Sequence, residues 1–316
     1  MGSPRRGRRC TRKWSLDDGR RRLDVAGRAE DRRALVSGSV RDELSGSVHT
    51  GDYVALLGVR ELPPLTNPFD PGYDPVTLAA HLDQSGHLMA GLKISMACWL
   101  IADEASTRRK VAAARERGVE AHAGGGPFEI AVHQGRLAEY LELCADIGFA
   151  RIECAEGFTD LPMTPDEVIS LVSAHGLEAQ FELGKKHSGA FTSDTVSELV
   201  EQGRRWLDAG ALALVVEARE SAEEVGLFGA DGTLNRLFAD RFADAFGLET
   251  VLFEAPNKPS QFALLDHFGA DVRLCNVRLE EILRVEIYRR GLHSDAFANP
   301  TLRPAAPSLS TDLAST

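Results

Sequence analysis

Four successive apolar runs of this chain carry a glutamate at or beside their C-terminal ends: Glu153 in FARIEC, Glu182 in LEAQFEL, Glu217 in ALALVVEA and Glu254 in TVLFEA. Basic residues stand close by. Lys185 and Lys186 follow Glu182 in FELGKK, Arg219 follows Glu217, and Lys93 lies in the earlier run AGLKIS. A charge at the end of a buried run is costly unless a partner or ligand takes it up. A single such glutamate reads most simply as a rim charge standing in water. Four on neighbouring strands would repel one another, which calls for a cation among them. Mg2+ suits them, because it prefers oxygen donors and binds through carboxylates together with substrate oxygens.

The segment HAGGGPFE adds a second element. Glycines at 124, 125 and 126 let backbone N–H groups approach an anion closely, although a tight turn explains them equally well. Together with Lys93, Lys185, Lys186 and Arg219 they point to an anionic, phosphorylated substrate. Gly125, Gly126, Glu129 and Asn276, the last ending DVRLCN, complete the candidate binding set. His122, His133 and His187 lack metal-ligand spacing and read as satisfied or exposed histidines. The cysteines, Cys10, Cys98, Cys144, Cys154 and Cys275, form no C-x-x-C pair and read as reduced, mostly buried thiols.

Alternation of elements must bring these groups together. Strand-like runs fall at YVALL (53–57), AGLKIS (90–95), VEAHA (119–123), FARIEC (149–154), LEAQFEL (177–183), ALALVVEA (211–218), TVLFEA (250–255) and DVRLCN (271–276). Helices lie between them with marked ends. Thr164, Pro165 and Glu167 make a capping box closed by Gly176; a second helix starts near Ser193, carries Val196, Leu199, Val200, Trp206 and Leu207 on one stripe, and ends at Gly210. Eight alternating β and α units predict an α/β fold, a single (β/α)8 TIM-type barrel with parallel strands. A doubly wound open sheet is the competing arrangement, and its G-x-G-x-x-G turn is absent. In a barrel, function gathers at the C-terminal strand ends, where the glutamates fall.

The 316 residues are 43% hydrophobic and 26% charged, ordinary values for a globular chain with a large core. Charge is unevenly distributed. Residues 1–46 hold 13 Lys and Arg against 7 Asp and Glu, although the whole chain has a net charge of −11. This basic stretch reads as a disordered extension, and 298–316, rich in Pro, Ser and Thr, as a disordered tail, leaving 47–297 for the barrel. The acidic body argues against nucleic acid as the main partner. No apolar run is long enough to span a membrane and no signal segment opens the chain, so a cytoplasmic protein is expected. Its partners are expected to be small anions and copies of itself in a homo-oligomer.

The strings FELGKK, VVEARES followed by GLFGADG, LFEAPNKPSQFALLDHFGADVRLCNV and EIYRRGLHSD resemble segments of the phosphosulfolactate synthase family. Similarity runs from about residue 50 to 297. The resemblance implies a (β/α)8 barrel and Mg2+-dependent addition of sulfite to C3 of phosphoenolpyruvate, a carbon–sulfur lyase acting in the synthase direction for sulfonate biosynthesis. On that chemistry Glu182, Glu217 and Glu254 hold Mg2+, and a lysine protonates C2. Lys186 is the expected acid, Lys185 and Arg219 neutralise phosphate or carboxylate, and Lys93 faces the incoming anion. Which of the two lysines points inward is left open by the sequence.

Three departures stand out. Typical members end their first strand in Asp-Lys-Gly before Leu-Pro, where this chain reads Val59, Arg60, Glu61, Leu62, Pro63. A Gly-Trp pair after Lys93 is replaced by Ser95 and Met96, and a Gly-Leu-Arg-Gly becomes Gly291, Leu292, His293, Ser294. These put sulfite in question more than phosphoenolpyruvate. Two other readings therefore stand beside the first: an enzyme adding a different nucleophile to phosphoenolpyruvate, and a non-catalytic barrel related to plant heat-stress-associated proteins. Retention of the glutamates and lysines favours catalysis.

Overall fold

The computed structural model of the protein describes residues 49–304. The expected extension at 1–46 lies outside them, as does most of the expected tail. The chain divides between Tyr53 and Val54, and the second unit carries all eight strands. They form a closed parallel barrel in sequential order. The strands are β1 (Thr66–Asp70), β2 (Leu92–Ile94), β3 (Ala121–Ala123), β4 (Arg151–Ala155), β5 (Glu178–Leu183), β6 (Ala213–Val216), β7 (Val251–Glu254) and β8 (Arg273–Arg278). β8 closes on β1.

Seven of the eight strands fall where the apolar runs placed them. The first does not. Residues 53–56 belong to a helix, α1 (Thr50–Leu56), which has no buried residue, so the β-prone side chains there have no sheet to pack on. β1 is instead TNPFD, a run whose Pro68 cannot donate to a ladder. The sheet accommodates it with a register shift between Asn67 and Pro68 in the pairing to β8. β1 therefore ends at Asp70, with Pro71 and Gly72 after it, so the first strand is followed by an Asp-x-Gly pattern in which Pro71 stands where the family pattern has Lys. Asp70 accepts hydrogen bonds from the N–H groups of Gly72 (2.9 Å) and Tyr73 (2.7 Å) and pairs with the buried Lys110 (2.7 Å), which fixes this strand end.

The outer helices that pack on the sheet begin and end as their caps dictate. α2 (Pro75–Ser85) starts on Asp74, with Pro75 in its first turn. After α3 (Cys98–Ile101) and α4 (Glu104–Glu116) come α5 (Gly125–His133) and α6 (Leu137–Ile147). The capping box of Thr164 and Glu167 opens α7 (Pro165–Ala174), and Thr192 caps α8 (Ser193–Ala209). α9 (Arg236–Phe246), α10 (Lys258–Phe268) and α11 (Ile282–Arg289) complete the ring. Val196, Leu199, Val200 and Trp206 of α8 are buried, and the Trp206 ring stacks on Phe181 of β5 with centroids 4.1 Å apart.

Alternation along the strands separates two cores. Leu214, Val216, Val251, Phe253 and Leu274 face the helices in one continuous apolar layer. Ala213, Val215, Leu252 and Cys275 form a small separate cluster inside the barrel. The rest of the interior is polar: Lys93, His122, Glu153, Gln180, Glu182, Glu217 and Glu254 are all buried. A barrel interior packed for stability alone is filled by branched apolar side chains, so this polar half is the unusual part of the fold. The ordered chain also runs past the expected barrel end, because Leu302 is 5% exposed and joins the apolar layer.

Candidate active site

The polar interior is built from two lysines, each clamped by glutamates from other strands or from the same strand end. Lys186 follows β5 and turns back into the barrel, where its Nζ lies 2.8 Å from Glu182 Oε1 and 2.8 Å from Glu217 Oε2. The preceding Gly184 takes φ +126°, a turn that sends the two adjacent lysines to opposite sides. Lys185 points to solvent, with a side chain 66% exposed and Asp160 3.9 Å away. Lys93, deeper in the barrel, lies 2.5 Å from Glu153 Oε1 and 3.9 Å from Glu254 Oε1. Its side chain is 9% exposed against 26% for Lys186, so Lys186 is the ammonium nearer the mouth.

Backbone donors complete the shell. Glu153 also accepts from Gly125 N (3.1 Å) and from Gln180 Nε2 (2.9 Å). The site is tight at Gly125, where a Cβ would meet the Ala155 Cβ at 3.1 Å. Glu254 Oε2 accepts from the successive N–H groups of Ala218 (2.7 Å) and Arg219 (3.0 Å), and its Oε1 from the Asn276 amide. Arg219 and Asn276 both adopt left-handed backbone, at φ +55° and +52°. Such strain persists where surrounding contacts over-determine it, and here it aims donors at Glu254.

Burial disfavours ionisation of all four glutamates. At Glu153 the charge and hydrogen bond of Lys93, together with His122 and the charge of Lys186, outweigh it, and at Glu217 the charge of Lys186 together with hydrogen bonds to Lys186, Glu254 and Glu182 does the same, so both carboxyls are held down at about 2. Burial, then the negative charge of Glu217, pushes Glu182 and Glu254 well above the usual carboxylate range. Both lysines stay firmly protonated: burial pulls them down, but Glu153 and Glu254 raise Lys93, and Glu182 and Glu217 raise Lys186. His122 beneath them is driven by burial to about 3 and is neutral, with an unpartnered Nδ1. Four carboxyls face two ammonium groups, and that imbalance adds to burial in lifting Glu182 and Glu254.

The other candidates are more dispersed. Arg219 is exposed; its guanidinium donates to the Lys186 carbonyl (3.1 Å) and lies 3.4 Å from His187 Nδ1. Gly126 lies in the first turn of α5 with open space beside it. Glu129 is fully buried, and its Oε2 accepts from the N–H groups of Phe158 and Thr159 rather than facing the mouth. Gln180 is a site member that sequence reasoning missed, whereas Glu153 was singled out there only as one of four strand-end glutamates, without a place in the metal set. The signal for Gln180 was its two-residue spacing from Glu182 in QFEL, which puts both on one face of β5. Among the described residues, no three His, Cys, Asp or Glu side chains are preset around a metal position. The donor chemistry nonetheless fits a hard divalent cation: carboxylate oxygens in excess of the ammonium charge beside them.

A parallel (β/α)8 barrel whose C-terminal strand ends converge on paired carboxylates and lysines defines the class, a barrel with an enzyme-type polar mouth. The family model of (2R)-phospho-3-sulfolactate synthase matches residues 64–295. The chain belongs to the phosphosulfolactate synthase family. It is 29% identical over 234 residues to the phosphosulfolactate synthase of Methanocaldococcus jannaschii, covering 74% of this chain and 93% of the relative. The synthase of Methanothermobacter thermautotrophicus is 26% identical, with 75% and 93% covered, and that of Bacillus subtilis 28% identical, with 60% and 75% covered.

Proposed function

We propose that the protein joins sulfite, or a related nucleophile, to C3 of phosphoenolpyruvate, with Mg2+ held by Glu182, Glu217 and Glu254. The observation that carries this reading is Lys186 Nζ, 2.8 Å from both Glu182 and Glu217 at the mouth of a barrel of this family. Bound Mg2+ would supply positive charge opposite the negative charge that spreads into the substrate carboxylate when C3 is attacked. The new bond forms between sulfur and C3, the electron pair of the C2=C3 bond moves to C2, and C2 takes a proton. Lys186 supplies that proton. Its two carboxylates orient Nζ, and any cation or substrate charge that draws them away lowers the cost of its deprotonation.

Lys93 and Glu153 support this chemistry from below, holding a fixed charge under the carboxylates. Arg219 and Lys185 stand at the rim, where they attract an anionic substrate. Incubating the protein with phosphoenolpyruvate, sulfite and Mg2+ and following the phosphorus resonance tests the reading. The expected result is loss of the enol phosphate signal and growth of a secondary alkyl phosphate. Unchanged phosphoenolpyruvate with every nucleophile tried would overturn it. The exchange of Lys for Pro71 at the β1 end favours a second reading in which the nucleophile differs, because it removes a cation where a small anion would enter. The other two departures divide. Ser95 and Met96 follow Lys93 at the end of β2, whereas Gly291–Ser294 follow α11, with His293 packed against Phe262 and Tyr288.

A further inference from the structure

Lys186 is gripped at its ammonium end, but its stem also lies in a seat that no strand-end carboxylate supplies. The loop after β4 passes beneath it. Gly157 of that loop is buried, and its carbonyl accepts the Lys186 N–H at 2.9 Å. A Cβ at position 157 would meet Lys186 Cγ and Cε at 3.0 Å and Glu129 Oε1 at 3.2 Å. The lysine stem therefore runs through the space a side chain would occupy. Gly157 is not among the glycines in left-handed backbone, so its conformation suits any residue and only the space demands glycine.

Glu129 holds the same loop from the other side. It is 0% exposed, and one oxygen, Oε2, accepts from Phe158 N (2.8 Å), Thr159 N (2.9 Å) and Thr159 Oγ1 (3.2 Å). Its Oε1 is buried without a partner. Three donors on one carboxylate oxygen pin residues 157–159 to α5, and with them the carbonyl and the gap that receive Lys186.

We propose that Glu129 and Gly157 are positioning residues that fix Lys186 in its inward rotamer, Glu129 by anchoring the loop and Gly157 by vacating the space for the stem. The role rests on the reading of Lys186 as the proton donor, but the seat itself can be tested without turnover. Reductive methylation of the whole protein, read by peptide mass, gives the labelling ratio of Lys186 to its exposed neighbour Lys185. Gly157→Ala is expected to raise that ratio roughly tenfold and to lower kcat by a similar factor with KM for phosphoenolpyruvate little changed, since small misplacements of a catalytic group are costly. Glu129→Ala should do the same, and Glu129→Gln, which retains an acceptor oxygen, should restore much of the loss. An unchanged labelling ratio in Gly157→Ala with an intact thermal transition overturns the proposal; that variant decides alone if Glu129→Ala does not fold. A raised ratio with undiminished turnover would uphold the seat and remove Lys186 as the acid.

Discussion

Lys93 Nζ lies 2.5 Å from Glu153 Oε1, and both side chains are all but sealed from solvent inside the barrel. Each charge is offset chiefly by the other. Glu153→Leu should therefore destabilise the fold by about 3–5 kcal/mol, the usual penalty for leaving a buried charge unpaired. Lys93→Met combined with Glu153→Leu should recover most of that loss. Urea unfolding midpoints of the two variants check this, and equal destabilisation of the single and double variants would contradict it.

The two adjacent lysines should separate cleanly in kinetics. Lys186→Ala removes the ammonium shared by Glu182 and Glu217, so kcat should fall by roughly 10² to 10⁴, the range for a positioned general acid. Lys185 stands in water, 3.9 Å from Asp160, and Lys185→Ala should leave kcat close to normal with at most a modest rise in KM. Steady-state rates with phosphoenolpyruvate varied distinguish the two.

Glu182 should lower stability at neutral pH. Its carboxyl is raised in the folded state by burial and by Glu217, so the folded protein holds the proton more tightly than the unfolded chain. Stability from this group is then greatest below the ordinary carboxylate value and declines as pH rises from there through the raised folded value. Glu217 and Glu153, held down at about 2, act oppositely: their stabilisation is complete above the ordinary value and is lost as pH falls towards 2. Glu182→Gln should thus raise the melting temperature at pH 7 to 8 and have little effect near pH 4. Its activity should fall, the trade expected when a site keeps unfavourable charges for function. Thermal melts across that pH range read the difference, and a lower melting temperature for the variant at pH 8 would reverse the assignment.

The legibility of the molecule followed the range of the forces involved. Strands β2 to β8 show in the sequence because buried parallel strands read as apolar runs, whereas β1 is hidden by Pro68, which is admitted only through a register shift with β8. The convergence of Glu182, Glu217 and Glu254 was legible from strand ends alone, because a barrel brings its C-terminal ends together. Which lysine turns inward depended on the backbone at Gly184, and sequence does not carry that. The pairing of Lys93 with Glu153 joins β2 to β4, and the anchoring of residues 157–159 by Glu129 joins α5 to a loop. Both are long-range contacts that no local pattern announces.

The C-terminal boundary gives a further test. The sequence ends the barrel at residue 297, but Leu302 is buried, Asn299 Nδ2 donates to Asp266 Oδ1 at 2.9 Å, and the Arg303 guanidinium lies 5.3 Å from the centre of the Phe297 ring. Residues 299–304 also cover Gly291, where a Cβ would collide with the Leu302 carbonyl and Pro304. A chain ending after Ala298 loses all of these contacts, whereas one ending after Pro304 keeps them. Burying a leucine is worth about 2 kcal/mol. The shorter chain should therefore melt about 5 °C below the longer one, given the size of the barrel. Differential scanning calorimetry of the two truncations reads this directly, and coincident transitions would return residues 299–304 to the tail in which their composition placed them.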